Sequence, residues 1–506
     1  MTDFRRRLHR LFPLVALGLG LLLLAGLEAG LRLAGVAAFE PDPFVGFAGS
    51  HPFFVQVGRG DQARYQVNPR HQQFFNEVSF PATKPAGSFR VFVAGGSVVL
   101  GFPFYEPGSF ARFLQVGLDA LDPGRPHEVI NAGGFGYASY RVARVVEEAL
   151  HYQPDLIVVM SGHNEFLEKR VYGERENPGP WLTAVQSGLD RLRLYRVLRQ
   201  GVASWRTAGE PLLQEEVSWE KISRDPEQVA LTLEHYRYNL EKLVRLCREQ
   251  GVPLILMTLP SNLKDFPPLK SLHRQDLTPQ DQAQWERYFR AGLDLFQVGD
   301  HTAAEAEFAA AARLDPDYAE LHYQLGRTLL PAGKTEAASA EFWQAVRRDA
   351  WPVRAFPEMN QTVQALAGSG VFVADALARF TDAAGDRIPG DDLFLDHCHP
   401  TLSGQALLAE AVLEALMQNR MVALPENWRQ VFASAALDYQ TRLGQGFLGE
   451  AYYRGAFEVG VNLDRPQEGL RLAEMAQRLV PEHPKLPALR DRLRRQLRSA
   501  KTAPQP

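Results

Sequence analysis

With only two cysteines in 506 residues, Cys247 and Cys398, the chain cannot build a disulfide framework; at most they form one bridge. The chain also lacks any long basic run, and its formal net charge is -4, which removes a general affinity for nucleic acid. His397, Cys398 and His399 form the one tempting ligand cluster, with no second cluster at metal spacing. Adjacent side chains of an extended segment point to opposite faces, so no metal and no cofactor is assigned. What is present is ordinary globular composition, 45% apolar and 23% charged. The length is that of roughly two to four domains.

The N-terminus shows neither an A-x-A-like cleavage site nor a lipobox cysteine, which sets a cleaved signal peptide behind an uncleaved anchor. Arg5, Arg6, Arg7 and Arg10 precede an uncharged run from Phe12 to Leu27, and an apolar tail continues past Glu28 and Arg32. A spanning helix needs about 20 apolar residues, with charged ends free to snorkel. We therefore expect a basic cytoplasmic tail (1–11), a single-pass transmembrane anchor (12–35), and the rest of the chain on the periplasmic side by the positive-inside rule.

Residues 36–84, rich in Pro, Phe, Gly and Asn, read as a lead-in of turns and short strands. An α/β alternation follows. Strand patterns fall at FRVFVA (89–94), HEVINA (127–132), DLIVVM (155–160), VPLILMT (252–258) and GVFVAD (370–375), with helical stretches such as 139–151 and 227–250 between them. This rhythm predicts a parallel sheet with helices on both faces and ligands at the carboxyl ends of the strands.

Between about 276 and 351 the chain is Ala-rich, helical and repeats at 34 residues. Gly292, Leu295, Gly299, Ala304, Phe308 and Ala311 recur as Gly326, Leu329, Gly333, Ala338, Phe342 and Ala345. Only Pro316 fails to recur, its counterpart being Ala350. That period resembles a pair of tetratricopeptide (TPR) repeats, an all-α insertion able to bind a protein partner. Residues 426–506 read as C-terminal helices with a degraded third repeat near 462–481, expected to fold back and cap the insertion.

Four blocks carry the chemistry: GGSVVLG (95–101), NAGGFG (131–136), SGHNE (161–165) and DHCHP (396–400). In this order on strand ends they resemble the SGNH hydrolase family of GDSL-like esterases and lipases. The resemblance covers roughly 85–270 and 352–425, within two parts of one domain at 85–275 and 352–425, and implies a flavodoxin-like parallel sheet. It implies Ser97 as nucleophile, His399 as base and Asp396 as the group orienting the imidazole. It also implies an oxyanion hole from the Ser97 and Gly136 backbone N–H groups and the Asn164 side-chain amide. Two positions depart from the family: Gly96 stands where it has Asp, and Glu165 where it has Asp.

Asn262, Lys264, Arg354 and Asn360 are candidate substrate contacts, because they follow or precede sheet elements near the expected cleft. Leu182, Val185, Leu189, Leu192 and Leu198 form an apolar stripe beside Arg191, Arg193, Arg196 and Arg199, read as a core-packed helix with a solvated arginine face. The expected function is a membrane-anchored esterase acting on an acylated glycan or lipid. The same triad also serves an O-acyltransferase, and a TPR-based scaffold with a silent SGNH domain is the non-enzymatic alternative.

Overall fold

The computed structural model describes residues 2–34, 52–167 and 225–502, with scattered positions between 181 and 198. Helix α1 runs over Thr2–Leu33, and Leu22 and Leu23 in it are exposed. Among the described residues no helix is long and apolar enough to cross a membrane. The expected span draws on residues 12–14 and 17, whose side chains lie outside the described set. The apolar stripe, in contrast to the expectation of core packing, leaves Val185, Leu189, Leu192 and Leu198 exposed. Near it, Arg193 and Leu194 donate their backbone N–H groups to Glu28 of α1 at 3.1 and 2.9 Å. Leu182, Arg191, Arg196 and Arg199 lie outside the described residues.

The lead-in forms a three-stranded antiparallel sheet of β1 (Phe54–Val57), β2 (Arg64–Val67) and β3 (Ser79–Pro81). Its phenylalanines anchor it to the next domain. Phe54 and Phe80 are buried edge-on against Phe92, and burying each such ring is worth about 1.5–3 kcal/mol.

The predicted runs become β4 (Phe89–Gly95), β5 (His127–Gly133), β6 (Leu156–Met160), β7 (Leu254–Met257) and β8 (Val371–Ala374). They pair in parallel in the order β5-β4-β6-β7-β8, the flavodoxin-like arrangement. All residues of β4 are buried, as a central parallel strand covered on both faces requires. Its Arg90 is buried as well, and is satisfied by Glu128 and by the carbonyls of Tyr152 and Pro81. Helices α2 (Ser97–Leu100), α3 (Phe110–Leu121), α4 (Ser139–Ala149) and α5 (Pro226–Glu249) connect these strands. The chain passes from β4 to β5 on one side and then to β6 on the other, which opens a crevice at their carboxyl ends.

The insertion comprises α6 (Pro279–Gln297), α7 (His301–Leu314), α8 (Ala319–Leu329) and α9 (Thr335–Arg348). The two hairpins use the same contact. A β-carbon on Gly292 would stand 2.6 Å from the Phe308 ring, and one on Gly326 would stand 2.7 Å from the Phe342 ring. Only glycine lets each helix approach its partner's phenylalanine so closely. The second hairpin shares a core with Leu263, Phe356 and Ile388 of the sheet domain, while the first packs on the second. The two ends of the insertion are tied together: Asp349 accepts the N–H groups of Leu269 and Lys270 at 2.8 and 3.0 Å, and Ala350 N–H reaches the Lys270 carbonyl at 2.8 Å.

Helix α10 (Leu402–Gln418) returns to the sheet and is followed by α11 (Trp428–Phe457), α12 (Pro466–Leu479) and α13 (Leu486–Thr502). These C-terminal helices do not cap the insertion. Phe432, Ala456, Leu472 and Leu493 belong to the core of the sheet domain. A β-carbon on Gly117 of α3 would meet Phe432 at 2.8 Å. This bare position on α3 gives α11 its seat, so the apolar face expected to cover the repeats is spent on the sheet instead.

Candidate active site

Two glycines turn β4 sharply into α2. A β-carbon on Gly95 would lie 2.1 Å from the Met160 carbonyl oxygen, and one on Gly96 would lie 2.5 Å from Asn164 Nδ2. Ser97 is therefore delivered as the first residue of a four-residue helix at the end of the central strand. Two asparagines hold that helix. Asn131 Nδ2 donates to the Val99 carbonyl and Asn76 Nδ2 to the Leu100 carbonyl, both at 2.8 Å. Asn76 comes from the lead-in segment, which thus contributes to the site.

His399 and Asp396 come from a tight loop before α10. Asp396 Oδ1 accepts the backbone N–H groups of Cys398 and His399 at 2.9 and 2.8 Å. Its Oδ2 lies 2.6 Å from His399 Nδ1, and His399 Nε2 lies 2.7 Å from Ser97 Oγ. A carboxylate on Nδ1 holds the proton there and leaves the Nε2 lone pair facing the serine. All three residues are buried, so these contacts are shielded from bulk water. Burial opposes the Asp396 charge, but His399, His397 and the hydrogen bonds to His399 outweigh it and hold the carboxyl well below the usual range.

The other oxyanion candidates lie on the loops that follow β5 and β6. Gly134 N–H, from the loop after β5, donates to the Gly95 carbonyl at 2.9 Å, joining the two loops. Gly136 follows at φ 72°, a conformation that costs glycine nothing. Asn164 Nδ2 donates to the Tyr137 carbonyl at 3.0 Å, which leaves its second N–H for a substrate oxygen. In this chain the bareness of Gly96 lets the Asn164 amide approach, since a β-carbon at 96 would stand 2.5 Å from its nitrogen. Glu165 is engaged away from the serine, where it accepts the Ser139 N–H and hydroxyl, both at 2.8 Å. Ser139 begins α4, whose N-cap, Ala138, offers no side-chain acceptor. Glu165 supplies the missing cap.

Three of the four candidate substrate contacts are spent within the chain, and the fourth, Arg354, keeps its buried Nη2 without a hydrogen bond among the described residues. Asn262 bonds Asp391 and the Asp265 N–H. Lys264 pairs with Asp386 at 2.7 Å. Arg354 Nη1 donates to the Asn262 and Phe266 carbonyls. Asn360 bonds both backbone groups of Leu259. Polar residues after strand ends here pin loops.

Other residues border the triad instead. Phe102 stands edge-on 4.9 Å from the His399 ring. His163 Nδ1 accepts the Ala355 N–H at 3.2 Å, so its proton sits on Nε2. Burial first, and then the charges of His397 and His399, push His163 down to about 3. Burial also lowers His397, to about 4, against the pull of Asp396. Neither histidine was legible as part of the site, because nothing in the SGHNE or DHCHP blocks marks which imidazole turns inward. The side chains of Asp396, His397, Cys398 and His399 place their ligand atoms within 4.8 Å of one another. The loop is a turn, so the extended-segment reason for setting a metal aside does not hold. Both nitrogens of His399 and both oxygens of Asp396 are nevertheless engaged in the triad, and an ion there would displace it.

No family profile matches the chain, and no curated protein does. Solved structures do. Axe2, an acetylxylan esterase from Geobacillus stearothermophilus, is 14% identical with a TM-score of 0.30, over 65% of this chain and 95% of that one. LAE5, an α/β hydrolase enzyme from the metagenome of Lake Arreo, Spain, is 15% identical with a TM-score of 0.30, over 66% and 96%. A GDSL-like lipase from Bacteroides thetaiotaomicron is 10% identical with a TM-score of 0.28, over 65% and 88%. These likenesses are too weak to carry function, which rests on the site's own geometry.

Proposed function

We propose that this chain is a serine esterase that cleaves ester-linked acyl groups through an acyl-Ser97 intermediate. The observation that carries it is the relay of 2.7 Å from Ser97 Oγ to His399 Nε2 and 2.6 Å from His399 Nδ1 to Asp396 Oδ2. A serine hydroxyl is a weak nucleophile until a base takes its proton. In this reading Ser97 Oγ attacks the acyl carbon as its proton passes to His399. The ester C–O bond then breaks, and His399 returns that proton to the departing alcohol oxygen. Water attacks acyl-Ser97 by the same route and releases the acid. Negative charge on the carbonyl oxygen is met by the Ser97 and Gly136 N–H groups and the Asn164 amide.

The test is a fluorophosphonate probe together with a 4-nitrophenyl acyl ester on the full chain. Labelling and turnover are expected in the native protein and neither in Ser97→Ala. Labelling that survives Ser97→Ala overturns the assignment. Labelled acyl groups appearing on an added oligosaccharide, in place of free acid, would identify a transferase.

We also read Thr2–Leu33 as a membrane anchor that keeps the esterase on the periplasmic side. The run from Phe12 to Leu27 carries no charge, and exposed Leu192 immediately precedes Arg193 and Leu194, whose N–H groups bond Glu28 of the helix. Apolar side chains at such a junction suit a headgroup interface. The paired hairpins of the insertion, with glycine against phenylalanine at the same place in each, fit tetratricopeptide repeats and a protein partner. A phosphatase reporter fused after residue 506 should be active, and an inactive fusion at normal expression would reverse the topology.

A further inference from the structure

The end of α11 and the turn Glu458–Asn462 cover the loop that follows the catalytic helix. Arg454 donates Nε and Nη2 to the Pro103 carbonyl at 3.1 and 3.0 Å, and its guanidinium lies 5.2 Å from the centre of the Tyr105 ring. Tyr105 packs edge-on against Phe102 at 6.1 Å, and Phe102 against His399. Glu458 lies close enough to His399 and Asp396 to interact electrostatically with both, and with Tyr105 as well. From the catalytic base outward, the wall therefore runs through Phe102, Tyr105 and Glu458, with Arg454 bracing it.

Two details mark this wall as more than packing. Tyr105 keeps 37% of its surface exposed and is held at φ 56°, a conformation bulky residues rarely adopt. It is held there by its N–H on the Gly101 carbonyl at 2.7 Å and by the next N–H on Asn76. Glu458 Oε2 accepts from Asn462 at 2.6 Å, and no hydrogen bond from the described residues engages its Oε1. A presented aromatic ring beside a carboxylate with spare acceptor capacity is a surface for a ligand that is apolar on one face and rich in hydroxyls at its edge.

Resting on the esterase reading above, we infer that this wall binds the alcohol part of the ester and that the alcohol is a carbohydrate. The side follows from the chemistry. The departing oxygen takes its proton from His399 Nε2, so the alcohol lies against the residues that flank His399, while the acyl oxygen lies toward Asn164. The class follows from the groups present. Tyr105 offers a flat face to the C–H side of a sugar ring, and Glu458 accepts hydroxyl protons. A lipid chain laid over the same wall would strip water from Glu458 without replacing its hydrogen bonds. Arg454 is committed to Pro103 and to Glu450, so it is a positioning residue for Tyr105.

The experiment compares an O-acetylated cellooligosaccharide, glyceryl triacetate and 4-nitrophenyl acetate on the full chain, native and with Glu458→Gln or Tyr105→Asn. Glutamine keeps the shape and the Asn462 bond, and asparagine tolerates the positive φ. The native protein should favour the saccharide ester over glyceryl triacetate. Each variant should lower the ratio of kcat/KM for saccharide ester over 4-nitrophenyl acetate about tenfold, chiefly through KM. Calorimetry gives a readout free of turnover: Ser97→Ala protein should bind the acetylated oligosaccharide, and adding Glu458→Gln should weaken binding about tenfold. An unchanged ratio, a preference for glyceryl triacetate, or no binding to Ser97→Ala protein overturns the inference. Loss of the esterase reading is seen separately, as 4-nitrophenyl acetate turnover that survives Ser97→Ala.

Discussion

Gly96 and Asn164 occupy one space: a β-carbon at residue 96 would stand 2.5 Å from the Asn164 amide nitrogen. The residue before the nucleophile and the side-chain oxyanion donor are therefore coupled. A side chain at 96 would require the Asn164 amide to shift.

Gly96→Ala should thus behave as an oxyanion-hole mutation. Displacing one such donor costs about 10²–10³ in kcat. Turnover of a 4-nitrophenyl ester measures it, and Gly96→Ala turnover within threefold of native would show that residue 96 does not control the donor.

Asp396→Asn should leave the fold in place and remove most activity. An amide can present its N–H to Nδ1 and so favour the wrong imidazole tautomer, at a cost of roughly 10⁴ in kcat. Pre-steady-state acylation is the measurement, since the loss should fall on formation of acyl-Ser97.

Glu165→Ala should destabilise the protein. It strips the Ser139 N–H and hydroxyl of their acceptor at the start of α4. A buried donor left unsatisfied costs about 1–3 kcal/mol. The urea midpoint reads the loss, and an unshifted midpoint would deny Glu165 its role as helix cap.

His163 should make the protein acid-sensitive. It is held near 3 in the fold and titrates at about 6.5 when unfolded. Between these values the unfolded chain binds a proton that the folded chain refuses, so stability falls as pH falls. The slope from this group is at most about 1.4 kcal/mol per pH unit. Asp391 and Glu320, raised by burial to about 6 and about 7, bias the other way. Comparing native with His163→Gln cancels them. Urea midpoints at pH 7 and pH 5 should show the native protein losing more stability than the variant, and equal losses would mean His163 is not held neutral.

The five strands were legible because a parallel sheet covered on both faces writes each strand as a short unbroken apolar run. Ser97, Asn164, Asp396 and His399 were legible because each sits in a block at a strand end or in the last loop. Asn262, Lys264 and Asn360 show where local pattern stops: a polar residue near a strand end looks the same whether it faces a cleft or, as these three do, ties a loop. The wall around Tyr105 was beyond reach of local pattern. Arg454 meets Pro103 across 351 positions, and no periodicity in either segment announces that meeting. The same holds for α11, whose seat depends on the bareness of Gly117 on a distant helix.

The clamp at Asp349 has a consequence for how such a chain can change in length. The insertion leaves and rejoins its host across three hydrogen bonds, two from Leu269 and Lys270 N–H into Asp349 and one from Ala350 N–H to the Lys270 carbonyl. Seen from the sheet, everything between is one closed loop. The entropy of closing a loop grows only with the logarithm of its length, about 0.6 kcal/mol for each doubling. Further 34-residue units added at the outer hairpin would extend the array while leaving Leu263, Phe356 and Ile388 against the inner one. The reach of the array is thereby free to vary while the sheet domain beneath it stays constant.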